Sequence, residues 1–117
     1  MRLTVNLGKM GEMLAKSYLE KKGYTILEQN FRMRYGEIDI IAKFQDEIVF
    51  IEVKTRSGTE HGLPCEAVNK AKQRKIHRAA NYYLLVTDCS CSACRIDIIE
   101  ILIINSKPFL RQISNAF

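Results

Sequence analysis

The feature that most restricts the fold is a pair of alternating segments separated by three residues. Glu37 to Phe44 alternates Glu37, Asp39 and Ile41 with Ile38, Ile40 and Ala42. Ile48 to Lys54 alternates Ile48, Phe50, Glu52 and Lys54 with Val49, Ile51 and Val53. A period of two marks strands. Only Gln45, Asp46 and Glu47 intervene, so the segments form a hairpin that turns at Gln45-Asp46. Gln-Asp is not a favoured primed turn, and a loop longer by a symmetric pair of residues keeps the same pairing. Burial of one face fixes the register, because a one-residue slip would turn the apolar set to water. Ile38, Ile40 and Ala42 then face Val53, Ile51 and Val49. The same pairing sets Asp39 across from Glu52 and Glu37 across from Lys54.

Two carboxylates opposed on neighbouring strands stand about 4.5–5.5 Å apart at Cβ and repel. Such a pair must gain a cation, share a proton or splay into water. A hard divalent ion meets that need: magnesium takes one or two protein carboxylates, keeps several waters and accepts phosphate oxygens. Lys54 projects from the same face as Glu52. There an ammonium can orient an attacking water and offset charge growing on a phosphate. A cross-strand Glu37–Lys54 surface pair without any metal fits the same residues.

The rest of the chain supplies a scaffold for this hairpin. Leu7 to Lys22 reads as a helix, with Met10, Gly11, Leu14 and Tyr18 inward, Lys9, Lys16 and Glu20 outward, and Gly23 as its stop. Tyr24 to Arg34 reads as a strand, and Tyr35-Gly36 as a break. Thr55 to Pro64 reads as an exposed loop holding His61. A second helix runs from about Glu66 or Asn69 to Val86, with Ile76, Ala79, Ala80, Tyr83 and Leu84 as its core stripe. Arg95 to Ile104 is β-branched and apolar on both faces after Asp97, as a central strand would be, and Phe109 to Ile113 adds an edge strand. The expected fold is α/β: a mixed central sheet, in the order α-β-β-β-α-β, flanked by helices and forming one domain over residues 1–117.

Composition narrows the partners. Eighteen Lys and Arg against thirteen Asp and Glu leave a net charge of +5, which favours anionic partners and nucleic acid first. No apolar run reaches the roughly 18 residues of a membrane span. Met1 to Met10 holds no apolar secretory segment, so a cytoplasmic location is expected. Cys65, Cys89, Cys91 and Cys94 are then free thiols. Cys91 and Cys94 have the Cys-x-x-Cys spacing, and Cys65, His61 or His77 is available as a further ligand. No second such pair exists, so no zinc site is expected.

Gly36-Glu37-Ile38-Asp39, followed by Glu52-Val53-Lys54, resembles the PD-(D/E)XK pattern of restriction-endonuclease-like nucleases. Further matches occur in order: Gly11-Glu12 with Ala15, Leu19 and Gly23; Asn30 and Arg32; Glu66-Ala67-Val68; Lys72-Gln73; Ala79-Ala80 and Leu84; and Arg95-Ile96-Asp97. Together they resemble the YraN-like family of uncharacterised predicted endonucleases, over most of the chain from about Gly8. That family is similar in fold to archaeal Holliday-junction resolvases. The resemblance implies a restriction-endonuclease-like fold and Mg²⁺- or Mn²⁺-dependent hydrolysis of phosphodiesters. It implies Asp39 and Glu52 as metal ligands with the Val53 carbonyl as a third. Lys54 would act at the nucleophilic water, and Glu12 as an outer ligand or metal-water partner. A first-turn glutamate that complements the helix dipole is the alternative for Glu12. The cysteine-rich loop departs from the family pattern.

Basic residues suggest where nucleic acid would lie. Lys70, Arg74 and Arg78 form one stripe of the second helix, a phosphate-contacting face or a solvated one. Lys72 and Gln73 fall on the core stripe, where the carboxylate cluster is the expected partner and helix-end hydrogen bonding the alternative. Arg32, Arg34 and Arg56 bracket the acidic pair and could hold a substrate backbone. None reads sequence by itself, so recognition of structure or ends is expected. The expected function is a metal-dependent nuclease acting on DNA rather than RNA, selective for branched or junction DNA in repair or recombination. The alternatives are a catalytically silent nucleic-acid-binding module and a protein-interaction domain of a larger assembly. Cutting both strands of a symmetric junction would take two copies, which leaves a homodimer open.

Overall fold

The computed structural model describes residues 6–57, 68–89 and 92–117. The Thr55–Pro64 loop past Ser57, together with His61, Cys65, Glu66, Ala67 and Cys91, lies outside the described residues.

Helix α1 spans Leu7–Lys21. The Asn6 side chain accepts from the Lys9 amide at 3.2 Å and satisfies one of the orphan donors of its first turn. At the other end Gly23 takes φ +97°. The Gly23 amide reaches Glu20 O and the Tyr24 amide reaches Leu19 O, the paired bonds of a Schellman stop. The buried side is Gly11, Ala15 and Leu19, one position round from the expected stripe, so Leu14 and Tyr18 only border the core.

The strands are β1 (Thr25–Met33), β2 (Gly36–Phe44), β3 (Glu47–Ser57), β4 (Ala93–Ile104) and β5 (Lys107–Ile113), with α2 (Lys70–Val86) between β3 and β4. They form one sheet in the order β1-β2-β3-β4-β5. Among the described strands only β3 and β4 run parallel, and α2 lies in the connection between them. The described residues thus form a five-stranded mixed α/β sheet with two helices. β4 lies between β3 and β5, one place from the edge.

Each helix covers one face. Ala15 and Leu19 of α1 pack with Tyr24, Ile40, Ala42, Val49, Ile51, Ile99 and Ile101. Ile76, Ala79, Ala80, Tyr83 and Leu84 of α2 pack with Ile38, Ile41, Ile48, Phe50, Ile96 and Ile98. With both faces covered, the hairpin strands read as nearly continuous apolar runs.

Gln45 and Asp46 alone make the β2–β3 turn. Phe44 pairs with Glu47, and Gln45 adopts φ +55°. The expected register holds at Ile40↔Ile51 and Ala42↔Val49, and the regular ladder then stops at Ile40. Ile38 departs from expectation. It joins the α2 cluster rather than the α1 cluster that holds Ile40 and Ala42. Strict alternation is therefore broken at Asp39. On β1, the residue between the pairs Gln29↔Ile40 and Phe31↔Ile38 is Asn30, which adopts φ +52°. That left-handed residue, a conformation asparagine tolerates, accompanies the break on the neighbouring strand.

Two close approaches fix the layers here. A Cβ on Gly11 would meet Thr55 Oγ1 at 1.8 Å, so glycine lets α1 lie against β3 beside Lys54. A Cβ on Gly36 would meet the Lys75 carbonyl oxygen at 2.2 Å, so glycine lets α2 lie against the β1–β2 hairpin.

Candidate functional site

At the end of the β2–β3 ladder the strands part. The Val53 amide, in the plane of the sheet, donates to Asp39 Oδ2 at 2.8 Å. Asp39 thus takes up a strand donor and sits between the two faces instead of on one of them. Glu52 follows Ile51 on β3 and shares the α2 face with its register neighbour Ile98. It is 5% exposed. Burial pushes the Glu52 carboxyl up to about 8, helped by the Asp39 charge and a hydrogen bond with Asp39, against the pull of Lys72 and Lys54. The two carboxyls therefore meet, although no regular ladder pair joins their backbones.

Lys72, in the first turn of α2, reaches this pair from above. Its Nζ stands 3.8 Å from Glu52 Oε1 and 3.8 Å from Glu37 Oε1. The Asn69 cap, which accepts from the Lys72 amide at 2.8 Å, fixes where α2 starts and so where Lys72 points. Glu37 pairs with Lys72 and with Arg32 Nε at 3.5 Å. The expected Glu37–Lys54 pair is not made: with the ladder ended, Glu37 keeps its β1 register partner Arg32 instead. Lys54 lies on β3 near enough to act on the Glu52 carboxyl and in register with Glu100 of β4.

Glu12 approaches from α1, on the other side of the sheet. It is half-buried, and burial, with the Asp39 charge next, pushes its carboxyl upward against a hydrogen bond with the Asn30 side chain and the Arg32 charge. Asp39 thus has Glu12 on one side and Glu52 on the other. Among the described residues no three His, Cys, Asp or Glu side chains converge as a full metal-ligand set. The tight unit is the Asp39–Glu52 pair.

The basic residues separate into groups. Arg32, Arg34, Lys72, Lys75 and Arg78 line a cleft of ≈520 Å³ between the β1–β2 turn and α2, with Tyr35, Gly36 and Glu37. Lys70 and Arg74 are exposed on α2 outside that lining. Gln73 does not meet the carboxylates: its Nε2 donates to Val68 O at 3.0 Å, so it closes the start of its own helix. Arg56 is half-buried on β3, in register with Leu102. Cys89 and Cys94 are free thiols.

Sequence reasoning assigned no role to three features. Tyr35 is taken for a mere break, yet its ring is exposed and stacks under the Arg34 guanidinium. Glu100 is absorbed into an apolar strand; one of its oxygens is buried without a hydrogen bond, 3.7 Å from Arg111 Nη2. The third is Asp97, fully buried. It accepts from Arg95 Nε at 3.0 Å, Gln112 Nε2 at 2.8 Å and the Asn115 amide at 3.1 Å. Arg95 also binds Glu47 and the Tyr24 hydroxyl. This saturated network ties the C-terminal strand to the sheet. An Arg-x-Asp spacing within a strand, which puts both side chains on one face, was the available signal.

Among the described residues no helix is long and apolar enough to cross a membrane.

Comparison with known proteins places the chain. A protein of Clostridium kluyveri is 48% identical over 114 residues, covering 96% of this chain and 93% of its own. One of Clostridioides difficile is 44% identical over 110 residues, covering 94% and 95%. One of Clostridium acetobutylicum is 48% identical over 118 residues, covering 99% and 97%. All three are UPF0102 proteins. The solved structure of SSO0001 aligns with 93% of this chain and 50% of its own at 19% identity, and its TM-score of 0.34 decides nothing about the fold. The model of UPF0102 matches residues 11–101, and the chain belongs to this uncharacterised protein family.

Proposed function

We propose that this protein is a Mg²⁺- or Mn²⁺-dependent phosphodiester hydrolase of the restriction-endonuclease-like, PD-(D/E)XK kind, acting on DNA with branched or interrupted duplexes as its substrates. The observation that carries the reading is the meeting of Asp39 with a buried Glu52 beside Lys54 and Lys72.

The fit to a divalent ion rests on the chemistry of this pair. A buried carboxyl pushed up to about 8 by burial and by a second carboxylate lacks positive charge in its surroundings. Lys72 at 3.8 Å offsets only part of the deficit. The donors are hard oxygens, which suit Mg²⁺ or Mn²⁺ rather than zinc. Asp39 and Glu52 would hold the ion, with the Val53 carbonyl as the third ligand that the family resemblance supplies. Two carboxylates leave room for waters and phosphate oxygens, the shell magnesium favours. When bound, the ion would acidify a water and polarise the scissile phosphate.

The chain's own groups have definable tasks. Lys54 orients the attacking water and offsets charge growing on the phosphate. Lys72 holds Glu52 and Glu37 in place from α2. Glu12, steadied by Asn30, accepts a hydrogen bond from water on the α1 side of Asp39.

The test is cleavage of junction, forked, single-stranded and RNA substrates with Mn²⁺, using wild type and Asp39→Ala purified in parallel. Wild type is expected to cut interrupted DNA, and Asp39→Ala and Lys54→Ala to lose at least about 100-fold, the scale of a positioned catalytic group. Identical traces for wild type and Asp39→Ala would overturn the reading. Salt-dependent binding without cutting would leave a nucleic-acid-binding module.

A further inference from the structure

The cleft beside the candidate site has a composition that the hydrolase reading does not need. Among the described residues five cations face it and one carboxylate, Glu37, which pairs with Arg32 and Lys72. Among the described residues Lys75 and Arg78 meet no carboxylate. At the mouth of the cleft stands Tyr35, 54% exposed, with the Arg34 guanidinium 5.1 Å from its ring centroid. An exposed tyrosine ring next to a guanidinium is a platform on which a nucleobase can stack. The volume of ≈520 Å³ lies within the range of sites for small molecules, roughly 300–1,000 Å³. Lys72 lines the cleft and its Nζ stands 3.8 Å from Glu52 Oε1, so this one side chain joins the cleft to the acidic pair.

We propose that this cleft receives one unpaired nucleotide of a DNA strand, its base stacked on Tyr35 and its flanking phosphates held by Arg32, Lys75 and Arg78. A paired duplex offers phosphates to such a cleft but keeps its base faces inside the stack. Only a strand with a free base can use the tyrosine. The inference deepens the proposed function, on which it rests for its substrate class: it gives the physical basis for preferring an interrupted duplex to a continuous one. The close approach at Gly36 is what holds the two walls, the β1–β2 turn and α2, at this spacing.

The test is binding of the full chain, in EDTA, to a forked duplex with 2-aminopurine in its unpaired arm and to a blunt duplex of the same length. Wild type is expected to bind the fork at least about fivefold more tightly, the low end of one base stacked on an aromatic ring, with a change in 2-aminopurine fluorescence. Tyr35→Ala should bring the fork down to the blunt level and abolish the fluorescence change, and Tyr35→Phe should retain both. Arg78→Glu should weaken both DNAs and reduce the salt slope by about one. Equal binding of fork and blunt duplex, or a preference that survives Tyr35→Ala, would overturn the proposal. Since no divalent metal is present, the two readings fail separately. Lost preference with Mn²⁺-dependent cutting intact removes the cleft alone, and retained preference without cutting removes the hydrolase alone.

Discussion

The Asp39 carboxylate accepts a hydrogen bond from the Val53 amide at 2.8 Å, just past Ile40↔Ile51, the last regular pair of the β2–β3 ladder. A side chain has replaced a strand carbonyl as the partner of a backbone donor. That replacement lets the strands part without leaving the amide unsatisfied. It also brings Asp39 against Glu52.

Stability should follow the ionisation of Glu52. Its carboxyl is raised to about 8 in the fold, above the ordinary range near 4.3 of an unfolded chain. A proton on this group therefore favours the folded state. That contribution is complete below the unfolded value and is lost as pH rises through about 8. Metal-free protein is expected to melt at lower temperature at pH 8.5 than at pH 5.5. Glu52→Gln should flatten the difference, and Mn²⁺ should restore the melting temperature of wild type at high pH only. Thermal melts across pH check this, and an unchanged slope in Glu52→Gln would contradict it.

Lys72 should matter most where Glu52 is ionised. Lys72→Met removes the cation that stands 3.8 Å from both Glu37 and Glu52. The expected loss is about 1–2 kcal/mol at pH 8.5 and smaller at pH 5.5, because the neutral carboxyl has less need of a partner. Urea denaturation at the two pH values measures it. An equal loss at both would mean that Lys72 acts by packing.

The two acids buried in or near the sheet should separate by substitution. Asp97→Asn leaves Glu47 as the one carboxylate on the Arg95 guanidinium, breaks a network around a fully buried side chain, and is expected to cost about 1–3 kcal/mol. Asp39→Asn keeps an oxygen for the Val53 amide and is expected to cost about 1 kcal/mol or less. Equilibrium denaturation ranks them, and an Asp97→Asn protein as stable as wild type would refute the network's role.

How legible was this site in the sequence? The hairpin register was, because Ile40, Ala42, Val49 and Ile51 can be buried together in one way only. The α2 stripe was, because Ile76, Ala79, Ala80, Tyr83 and Leu84 keep a helical period. The break at Asp39 was not, since it goes with a left-handed Asn30 on another strand, which period-two alternation does not report. For Gln73 the sequence left two partners open, and the bond to Val68 O follows the helix-end alternative rather than the carboxylate cluster. The cleft was invisible because Tyr35 and Arg78 lie far apart in sequence and meet only through the close packing at Gly36. The partners of Asp97 come from the end of the chain.

Gly36→Ala tests that packing. Its new methyl carbon would lie 2.2 Å from the Lys75 carbonyl oxygen, a rigid backbone atom. Helix α2 must shift or the protein lose about 1–3 kcal/mol, the usual cost of overpacking. Weaker DNA binding should accompany the lower melting temperature. A variant as stable as wild type, binding equally well, would show that α2 is not held there.

The most direct measurement of the central claim is an anomalous difference map from crystals soaked in Mn²⁺. A single strong peak is expected between the Asp39 and Glu52 carboxyls, absent in Asp39→Asn. A map with no peak there, from crystals of protein that cuts DNA with Mn²⁺, would contradict it.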